Sequence, residues 1–343
     1  MKILFIGDLN EYCRSFQRYK TLIEMGHDIK AFSMTFVPQR PGIEKTPFFE
    51  RLMWKLKLPF DITSVNEKIK EAVKKENYDI VWIEKGNTIW PRTLRFIKKT
   101  LPETRLISLS EDDMYAAHNR SLYYCWGLHY YDIVFTTKVY NLEELKKIGA
   151  KKTALFLDAY DETFHRPLLL SEEDRKKFGC DVGFIGTFEE DRAQKIIYLA
   201  QNGIKVTVWG NGWKKLIGEN KNLIIKNKPL YGEDFVKAIN ATKINLCFLR
   251  KMNRDEVTSR SVEIPACGGF MLGERTKRHL DFFKEGVEAE FFDTNEELLD
   301  KVKKYLGDDE YCLRITEAGR ERCVKNGYSM KIQLDKIIKI IVA

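Results

Sequence analysis

The chain has 343 residues, of which 44% are hydrophobic and 31% are charged. This length is typical of about two domains, and the apolar content excludes a disordered chain. Lys and Arg number 58 against 50 Asp and Glu, which gives a formal net charge of +8. Because no dense basic block is present, this charge favours nucleotide phosphates or an anionic membrane surface over nucleic acid.

The sequence offers no membrane span, secretion signal or metal motif. Its apolar runs are too short to cross a bilayer, and the segment that begins at Met1 lacks a signal-peptide cleavage region. The seven cysteines form no Cys-x-x-Cys pair, and the five histidines show no metal-ligand spacing. We therefore expect a cytoplasmic protein with reduced thiols and no metal site.

Strands and amphipathic helices alternate through the first half of the chain. Apolar runs predict strands at residues 2–6, 27–32, 78–83, 105–109, 131–136 and 153–157. Helical spacing of apolar residues predicts helices at residues 15–25, 64–76, 93–99 and 141–148. This alternation is typical of a parallel sheet with helices on both faces.

The alternation restarts after a polar segment at residues 166–180, which we predict to be a linker. Further strands are expected at residues 181–185, 205–209, 222–226, 243–249, 270–272 and 290–292, and helices at 192–201, 233–241, 259–267 and 296–306. The sequence thus predicts an α/β protein with Rossmann-like domains at residues 1–165 and 181–328. A C-terminal helix at 329–343 could pack back on the N-terminal domain.

Two doubly wound domains that face a central cleft would bind ligands at the carboxyl ends of their strands. The loop after the first strand, Gly7-Asp-Leu-Asn10, has neither the Gly-x-Gly-x-x-Gly spacing of dinucleotide binders nor a P-loop. The sequence therefore supports neither a nicotinamide enzyme nor a P-loop NTPase.

The most informative stretch begins at Thr258 and Ser259, which can cap a helix. The N-terminus of a helix offers free N–H groups and a positive dipole end, which suit a diphosphate. Arg260 in the first turn adds a charged fork, and Glu263 on the same face can accept hydrogen bonds from ribose hydroxyls. The alternative is an ordinary surface helix with an Arg–Glu pair; Gly268 and the following strand favour the functional interpretation.

This stretch, RSVEIPACGGFML at residues 260–272, resembles the CgeB-like (spore maturation protein) glycosyltransferases of the GT-B superfamily. Weaker similarities to this family are carried by DVGFIGT at 181–187 with Arg192, by WGNGW at 209–213, and by the residues near 274–276, 282–283 and 290–293. The resemblance implies two facing Rossmann-like domains, with a nucleotide-sugar on the C-terminal one and an acceptor on the N-terminal one.

Family-4-type enzymes of this superfamily carry two glutamates eight positions apart, the second before Ala-Cys-Gly. Glu263 matches the second, which implies contacts with the nucleotide ribose. At the first position this sequence has Asp255 instead. Either Asp255 contacts the sugar, or Glu256 does, or both are solvated loop charges.

Arg192 follows the first strand of the C-terminal domain, where Gly186 and Thr187 allow a ligand to approach the backbone. Arg192 would supply positive charge to the leaving diphosphate, or else it caps a helix surface. Arg250, after a later strand, is either a further phosphate contact or a solvated charge.

Three residues could lie beside the nucleobase. Asn211 and Trp213 belong to a glycine-rich loop, where an aromatic ring either borders the donor or simply packs. Tyr231 follows another strand at the position expected for a base contact.

A catalytic base is needed only if the transfer inverts the anomeric centre. The candidates on the acceptor side are Asp8, Asp112, Asp113 and His118, because they follow predicted strands of the N-terminal domain.

The segment 48–58 mixes aromatic and basic residues. It could contact a membrane surface or a lipid-linked acceptor. A helix that packs into the core is the more common outcome of such a pattern, and it is the one we predict.

We therefore predict a metal-independent glycosyltransferase that requires no cofactor and moves a sugar from a nucleotide-diphosphate donor to a hydroxyl. The acceptor would be a surface polysaccharide, a protein glycan or a lipid-linked molecule. We expect a monomer or homodimer in the cytoplasm, with peripheral contact at the inner face of the membrane as a further option. The alternatives are a nucleotide-sugar epimerase or hydrolase of the same fold, and a noncatalytic glycan- or nucleotide-binding module.

Overall fold

The computed structural model describes residues 1–37 and 48–343. It divides into two compact units, one of Met1–Leu157 with Lys331–Ala343 and the other of Asp158–Met330. The polar segment 166–180, which we predicted to be a linker, therefore lies within the second unit.

The first unit contains a parallel sheet of six strands. The strands are β1 (Lys2–Gly7), β2 (Asp28–Ser33), β3 (Ile80–Glu84), β4 (Arg105–Ser110), β5 (Ile133–Thr136) and β6 (Thr153–Leu155). The helices are α1 (Arg14–Glu24), α2 (Phe48–Lys55), α3 (Val65–Lys75), α4 (Pro91–Thr100), α5 (Leu122–Gly127) and α6 (Asn141–Lys147). In the strand order β2-β1-β3-β4-β5-β6, β2 is added on one side of β1 and the later strands on the other, which places a topological switch point between β1 and β3. Open α/β sheets bind ligands at such switch points.

The second unit contains another parallel sheet of six strands. They are β7 (Cys180–Ile185), β8 (Val206–Trp209), β9 (Leu223–Ile225), β10 (Thr242–Cys247), β11 (Met271–Glu274) and β12 (Glu290–Phe292). The helices are α7 (Glu172–Phe178), α8 (Glu190–Gln201), α9 (Gly232–Ala241), α10 (Ser259–Ala266), α11 (Lys277–Phe282), α12 (Asn295–Leu306) and α13 (Asp309–Lys325). The last helix, α14 (Met330–Val342), belongs to the first unit from Lys331 onward.

The strand order of the second sheet, β12-β11-β10-β7-β8-β9, places its switch point between β7 and β10. Each sheet has its own apolar core. In the second unit, Val182, Val206 and Ile244 on one sheet face pack with Ile196 of α8 and Leu298 of α12. The predicted α/β class with two Rossmann-like sheets is confirmed.

Helix α7 forms inside the polar segment because the segment carries its own cap. The Ser171 hydroxyl accepts a hydrogen bond from the Asp174 N–H at 3.1 Å, and the Ser171 N–H donates to the Asp174 carboxylate at 3.3 Å. This reciprocal capping box stabilises the first turn of a helix that has little apolar surface to bury.

No helix in the described part of the chain combines the length and apolar character that crossing a lipid bilayer requires.

An ionic network joins the segment directly after β11 to α12. Arg275 pairs with Glu285 at 2.6 Å, with Glu297 at 2.6 Å and with Asp293, while Lys301 pairs with Glu285 at 2.8 Å. Hydrogen bonds from Arg275 lower the pKa of Glu285 and bring the pKa of Glu297 to about 2. These charged carboxylates therefore stabilise the second unit at neutral pH.

We expect Arg275→Gln to lower the melting temperature at pH 7 and to flatten its decline in acid. A carboxyl whose pKa is depressed on folding stabilises the protein above its unfolded pKa, near 4.5, and this contribution disappears as the pH falls towards the folded pKa. The measurement is thermal unfolding of both proteins between pH 7 and pH 3. A parallel decline for the two proteins would contradict the role of Arg275.

Candidate functional site

The carboxyl edge of the second sheet is organised around Arg192, in the first turns of α8. Arg192 is only 6% exposed, and its guanidinium donates to three backbone carbonyls, those of Thr187, Phe248 and Leu249, each at 3.3 Å. These carbonyls belong to the loops after β7 and β10, the two strands at the switch point. Burial lowers the pKa of Arg192. Its side chain therefore holds the two loops together. The phosphate contact of Arg192 stays a prediction, and the burial of its guanidinium among these carbonyls gives it a structural role as well.

Hydrogen bonds join the loop after β8 to the loop after β7. Trp213 is fully buried, and its indole N–H donates to the Gly186 carbonyl at 2.8 Å. The Gly186 N–H donates to the Trp209 carbonyl at 2.9 Å, and the Phe188 N–H donates to the Asn211 carbonyl at 2.9 Å. The sequence left two options open for Trp213, a ring that borders the donor or a ring that packs. Its complete burial supports packing.

Gly210 permits this close approach of the two loops, and sequence reasoning did not select it. A Cβ at this position would lie 1.9 Å from the Gly186 carbonyl oxygen, and the Gly210 φ angle is +148°. Both facts exclude a side chain here without movement of the backbone.

We expect Gly210→Ala to disturb the loops at the sheet edge and to lower the melting temperature. Forced backbone displacement typically costs about 1–3 kcal/mol. Gly203→Ala is the matched control for left-handed backbone, because Gly203 has φ +85° but open space around its Cβ position. Thermal unfolding of both variants tests this, and equal losses of stability would contradict the steric argument.

The N-terminus of α10 has unused hydrogen-bonding capacity. The N–H groups of Ser259 and Arg260 have no acceptor among the described residues, whereas the Ser261 N–H donates to the Thr258 carbonyl at 3.0 Å. The Thr258 hydroxyl is buried, also without a partner there. The first turn contains no acidic residue. This helix end can therefore bind an anion through backbone N–H groups, a hydroxyl and the helix dipole.

Arg260 and Glu263 pair on one face of α10, as their spacing predicts. The Glu263 side chain is only 2% exposed, whereas that of Arg260 is 38% exposed and its guanidinium lies over the Phe235 ring of α9 at 4.2 Å. Arg260 is thus accessible at the helix tip and Glu263 lies beneath it.

His165 also faces Glu263, and no sequence motif had marked it as a residue of this site. The ring Nδ1 accepts a hydrogen bond from the Asp161 N–H at 2.9 Å, so in the neutral ring the proton lies on Nε2. That Nε2 is 3.9 Å from the Glu263 carboxylate. Glu263 therefore lies between a guanidinium and an imidazole N–H.

A buried hydrogen-bond chain fixes the start of α10. The His279 Nδ1 lies 2.6 Å from the Glu274 carbonyl, and its Nε2 lies 2.7 Å from the Ser261 hydroxyl, which in turn accepts from the Thr258 N–H at 3.1 Å. Burial lowers the pKa of His279 to about 4, so the ring is neutral at pH 7: it donates to the carbonyl and accepts from the hydroxyl. Thr258 was predicted as a helix cap, whereas the roles of Ser261 and His279 were not, because their contact joins positions that are far apart in sequence.

The other residues that were predicted to contact the donor lie in the loops around α10. Arg250 pairs with Glu189 at 2.7 Å, and the Asp255 carboxylate accepts from the Asn253 amide at 2.7 Å. Tyr231 is the N-cap residue of α9, one turn before Phe235, whose ring lies under the Arg260 guanidinium. These residues share the carboxyl edge of the second sheet with α10.

The acceptor-side candidates lie in the first unit. Asp8 accepts from the Asn10 amide and the Thr35 hydroxyl, each at 2.7 Å. Asp112 pairs with Lys85, and His118 is exposed. Asp113 is fully buried and accepts from the N–H groups of Tyr115 and Ala116 and the amide of Asn141. This geometry gives Asp113 a role in shaping its loop.

A buried ionic cluster beside these residues was also missed by sequence reasoning. Arg18 of α1 pairs with Glu84 at 2.7 Å and with Glu111 at 2.6 Å, and Arg14 lies 3.3 Å from Glu111. Burial alone would raise the pKa of Glu111, but the charges of Arg14 and Arg18 outweigh burial and lower it to about 2. The cluster joins α1 to the ends of β3 and β4, at the switch point of the first sheet.

Among residues 1–37 and 48–343, no three His, Cys, Asp or Glu side chains lie together in an arrangement that could hold a metal ion.

Comparisons with known proteins agree with this geometry. Residues 192–339 match the family model described as glycosyl transferase-like. This segment of the chain is therefore similar to that family. The matched segment includes Arg192, α10 and the whole hydrogen-bond chain through His279. No curated protein matches the chain by sequence.

Solved structures share the fold of both units at low sequence identity. Sucrose-phosphate synthase from Thermosynechococcus elongatus gives a TM-score of 0.71 at 11% identity, covering 100% of this chain and 99% of that one. A glycosyltransferase from Rickettsia africae gives 0.67 at 14% identity, covering 99% and 97%. HepE from Anabaena, solved with UDP and glucose, gives 0.64 at 12% identity, covering 100% of both chains. The chain therefore has the GT-B fold.

Proposed function

We propose that this protein is a glycosyltransferase that moves a sugar from a nucleoside-diphosphate donor to a hydroxyl acceptor. The observation that carries the proposal is the N-terminus of α10, where two backbone N–H groups have no acceptor among the described residues and lie beside the buried Thr258 hydroxyl and Arg260, with no acidic residue in the first turn. A diphosphate is the ligand that uses all of these groups at once.

Arg260 and Glu263 would exchange partners when the donor binds. The guanidinium would turn from Glu263 and the Phe235 ring towards the diphosphate, since the Arg260 side chain is partly exposed. Glu263 would then accept hydrogen bonds from the ribose hydroxyls. The imidazole of His165, whose Nε2 lies 3.9 Å from the buried carboxylate, would limit the cost of losing the guanidinium by moving into hydrogen-bond distance.

The charge that develops on the leaving diphosphate would be stabilised by Arg260 and the helix terminus without a metal ion. UDP is our first choice of nucleotide, because HepE, which shares the fold, is solved with UDP. The motif at residues 260–272 further supports membership of the CgeB-like group.

In this proposal the first unit binds the acceptor, a hydroxyl of a surface glycan, a protein glycan or a lipid-linked molecule. Asp8, Asp112 and His118 are the remaining candidates for a base, because Asp113 has no exposed oxygen. An inverting reaction would need one of them to accept the hydroxyl proton.

Helix α2 is not packed into the core, contrary to our prediction, and we propose that it contacts an anionic membrane surface. None of its residues is buried, and Phe48 and Phe49 are 78% and 59% exposed. Arg51 and Lys55 are exposed on the same short helix. Aromatic and basic side chains together favour the interface of an anionic bilayer.

Vesicle binding tests the membrane proposal. Replacing Phe48, Phe49 and Trp54 with serine should weaken binding to phosphatidylglycerol-containing vesicles by at least about tenfold, because three apolar side chains lose their burial. The control replaces Leu169, Ile217 and Met252, exposed apolar residues of the second unit, with serine. Unchanged binding of the first variant, or no binding by the wild-type protein, would refute the membrane contact.

The enzymatic proposal is tested by incubating the full chain with a panel of nucleoside-diphosphate sugars, with and without glycan or lipid-linked hydroxyl acceptors. Release of nucleoside diphosphate together with a glycosylated acceptor supports transfer. An epimer or free sugar as the sole product, or tight donor binding without turnover under every acceptor tried, would overturn it in favour of the two alternatives.

A further inference from the structure

The second sheet has a cavity of about 530 Å³ along β7, β8 and β9 that the donor site does not use. The cavity exists because the connections between these strands leave part of one sheet face without a covering helix. Helix α8 packs on the Val206 and Val208 face, and α9 covers the other face near β10. Since β8 joins β9 through residues 210–222 with only a 3₁₀ turn, no helix of that connection covers β8 and β9 on the second face.

The cavity wall is strongly basic. Five lysines line it, at positions 176, 177, 205, 226 and 243, against one acidic residue, Asp181. Lys177 pairs with Asp234 at 3.3 Å, and Lys243 pairs with Asp309. The other three lysines have no ion-pair partner within the described ranges 1–37 and 48–343. Asp181 can offset one of them, so an excess of positive charge remains.

The helix dipole explains the position of only one of these three lysines. Lysines near a helix C-terminus complement the helix dipole, and Lys176 lies in the last turn of α7. Lys205 immediately precedes β8 and Lys226 immediately follows β9. These two exposed lysines thus border the same cavity at opposite strand ends, which a dipole argument does not explain.

The floor of the cavity is less polar than its rim. Thr207 and Trp209 point from β8 into it, on the face opposite Val206 and Val208. A Thr hydroxyl, an indole edge and several ammonium groups suit a small organic molecule with a carbohydrate-like body and more than one phosphate.

We propose that this cavity, which we call the lysine groove, binds a small organic phosphate with at least two negative charges. The site is separate from the diphosphate site at α10, since neither α10 nor Arg260 lines the groove. The inference goes beyond the proposed function and stands even if no sugar is transferred.

Isothermal titration of the full chain with glucose 1,6-bisphosphate tests this site, with UDP titrated in parallel. The test variant is Lys205→Gln/Lys226→Gln. The matched control is Lys221→Gln/Lys228→Gln, which removes the same charge from exposed positions outside the groove. We expect the test variant to bind the bisphosphate at least about tenfold more weakly, while the control and the wild-type protein bind it alike.

The two sites are distinguished by measuring the binding of both ligands to Arg260→Ala and to Lys205→Gln/Lys226→Gln. Bisphosphate binding should survive Arg260→Ala, and UDP binding should survive Lys205→Gln/Lys226→Gln. Equal bisphosphate affinity of the test variant and the wild-type protein, loss of bisphosphate binding in Arg260→Ala, or no binding by the wild-type protein would each overturn the lysine groove. Loss of UDP binding in Arg260→Ala alone bears only on the donor site.

Discussion

Arg260→Ala is expected to weaken UDP binding by about 10- to 100-fold. A hydrogen bond to a charged group contributes about 1.5–3 kcal/mol, and 1.4 kcal/mol corresponds to a tenfold change in affinity. The effect should be large because Arg260 is an accessible cation at the tip of α10, where the backbone N–H groups of Ser259 and Arg260 have no acceptor in the described part of the chain. Titration calorimetry with UDP gives the affinity directly.

The variant also leaves Glu263 without its guanidinium, so folding must be measured alongside binding. His165 still faces the carboxylate, and we expect the melting temperature to fall only modestly. Arg278→Ala is the matched control, since it removes an arginine that pairs with Asp281 on α11, outside the proposed site. Unchanged UDP affinity in folded Arg260→Ala would contradict the proposed diphosphate contact.

Arg18→Ala is expected to destabilise the first unit by about 3–5 kcal/mol, the range for breaking a buried ion pair by removal of one partner. The Arg18 side chain is 5% exposed and contacts both Glu84 and Glu111, so its loss leaves two carboxylates short of a counter-charge. For a unit of this size, the melting temperature should fall by roughly 6–20 °C.

Two further variants separate charge from packing at this position. Arg14→Ala removes a more exposed partner of Glu111 and should cost about 1 kcal/mol or less. Arg18→Met with Glu84→Gln and Glu111→Gln should recover much of the lost stability, because it removes all three deeply buried charges and only the more exposed Arg14 loses a partner. If Arg18→Ala unfolds at the wild-type temperature, the cluster does not stabilise the unit.

The fold was predictable from sequence because strand and helix periodicity is local. Apolar runs such as Ile80–Glu84, buried on both faces, identify central parallel strands without knowledge of their neighbours. The start of α10 was predictable for the same reason, since Thr258, Arg260 and Glu263 lie within one turn and a half of one helix.

Contacts between distant positions were not predictable. Arg192 was expected at a phosphate, but the carbonyls that surround it belong to Phe248 and Leu249, more than fifty positions later. The buried state of Trp213 depends likewise on the Gly186 loop. For α2, the sequence pattern predicted an amphipathic helix, but it could not show whether another element covers the apolar face of that helix.

A crystal structure of the full chain with UDP tests the central claim most directly. We predict that oxygens of the diphosphate accept hydrogen bonds from the N–H groups of Ser259 and Arg260, with the Arg260 guanidinium turned towards them and Glu263 at the ribose. A diphosphate bound in the lysine groove, or at any place away from the N-terminus of α10, would contradict the account.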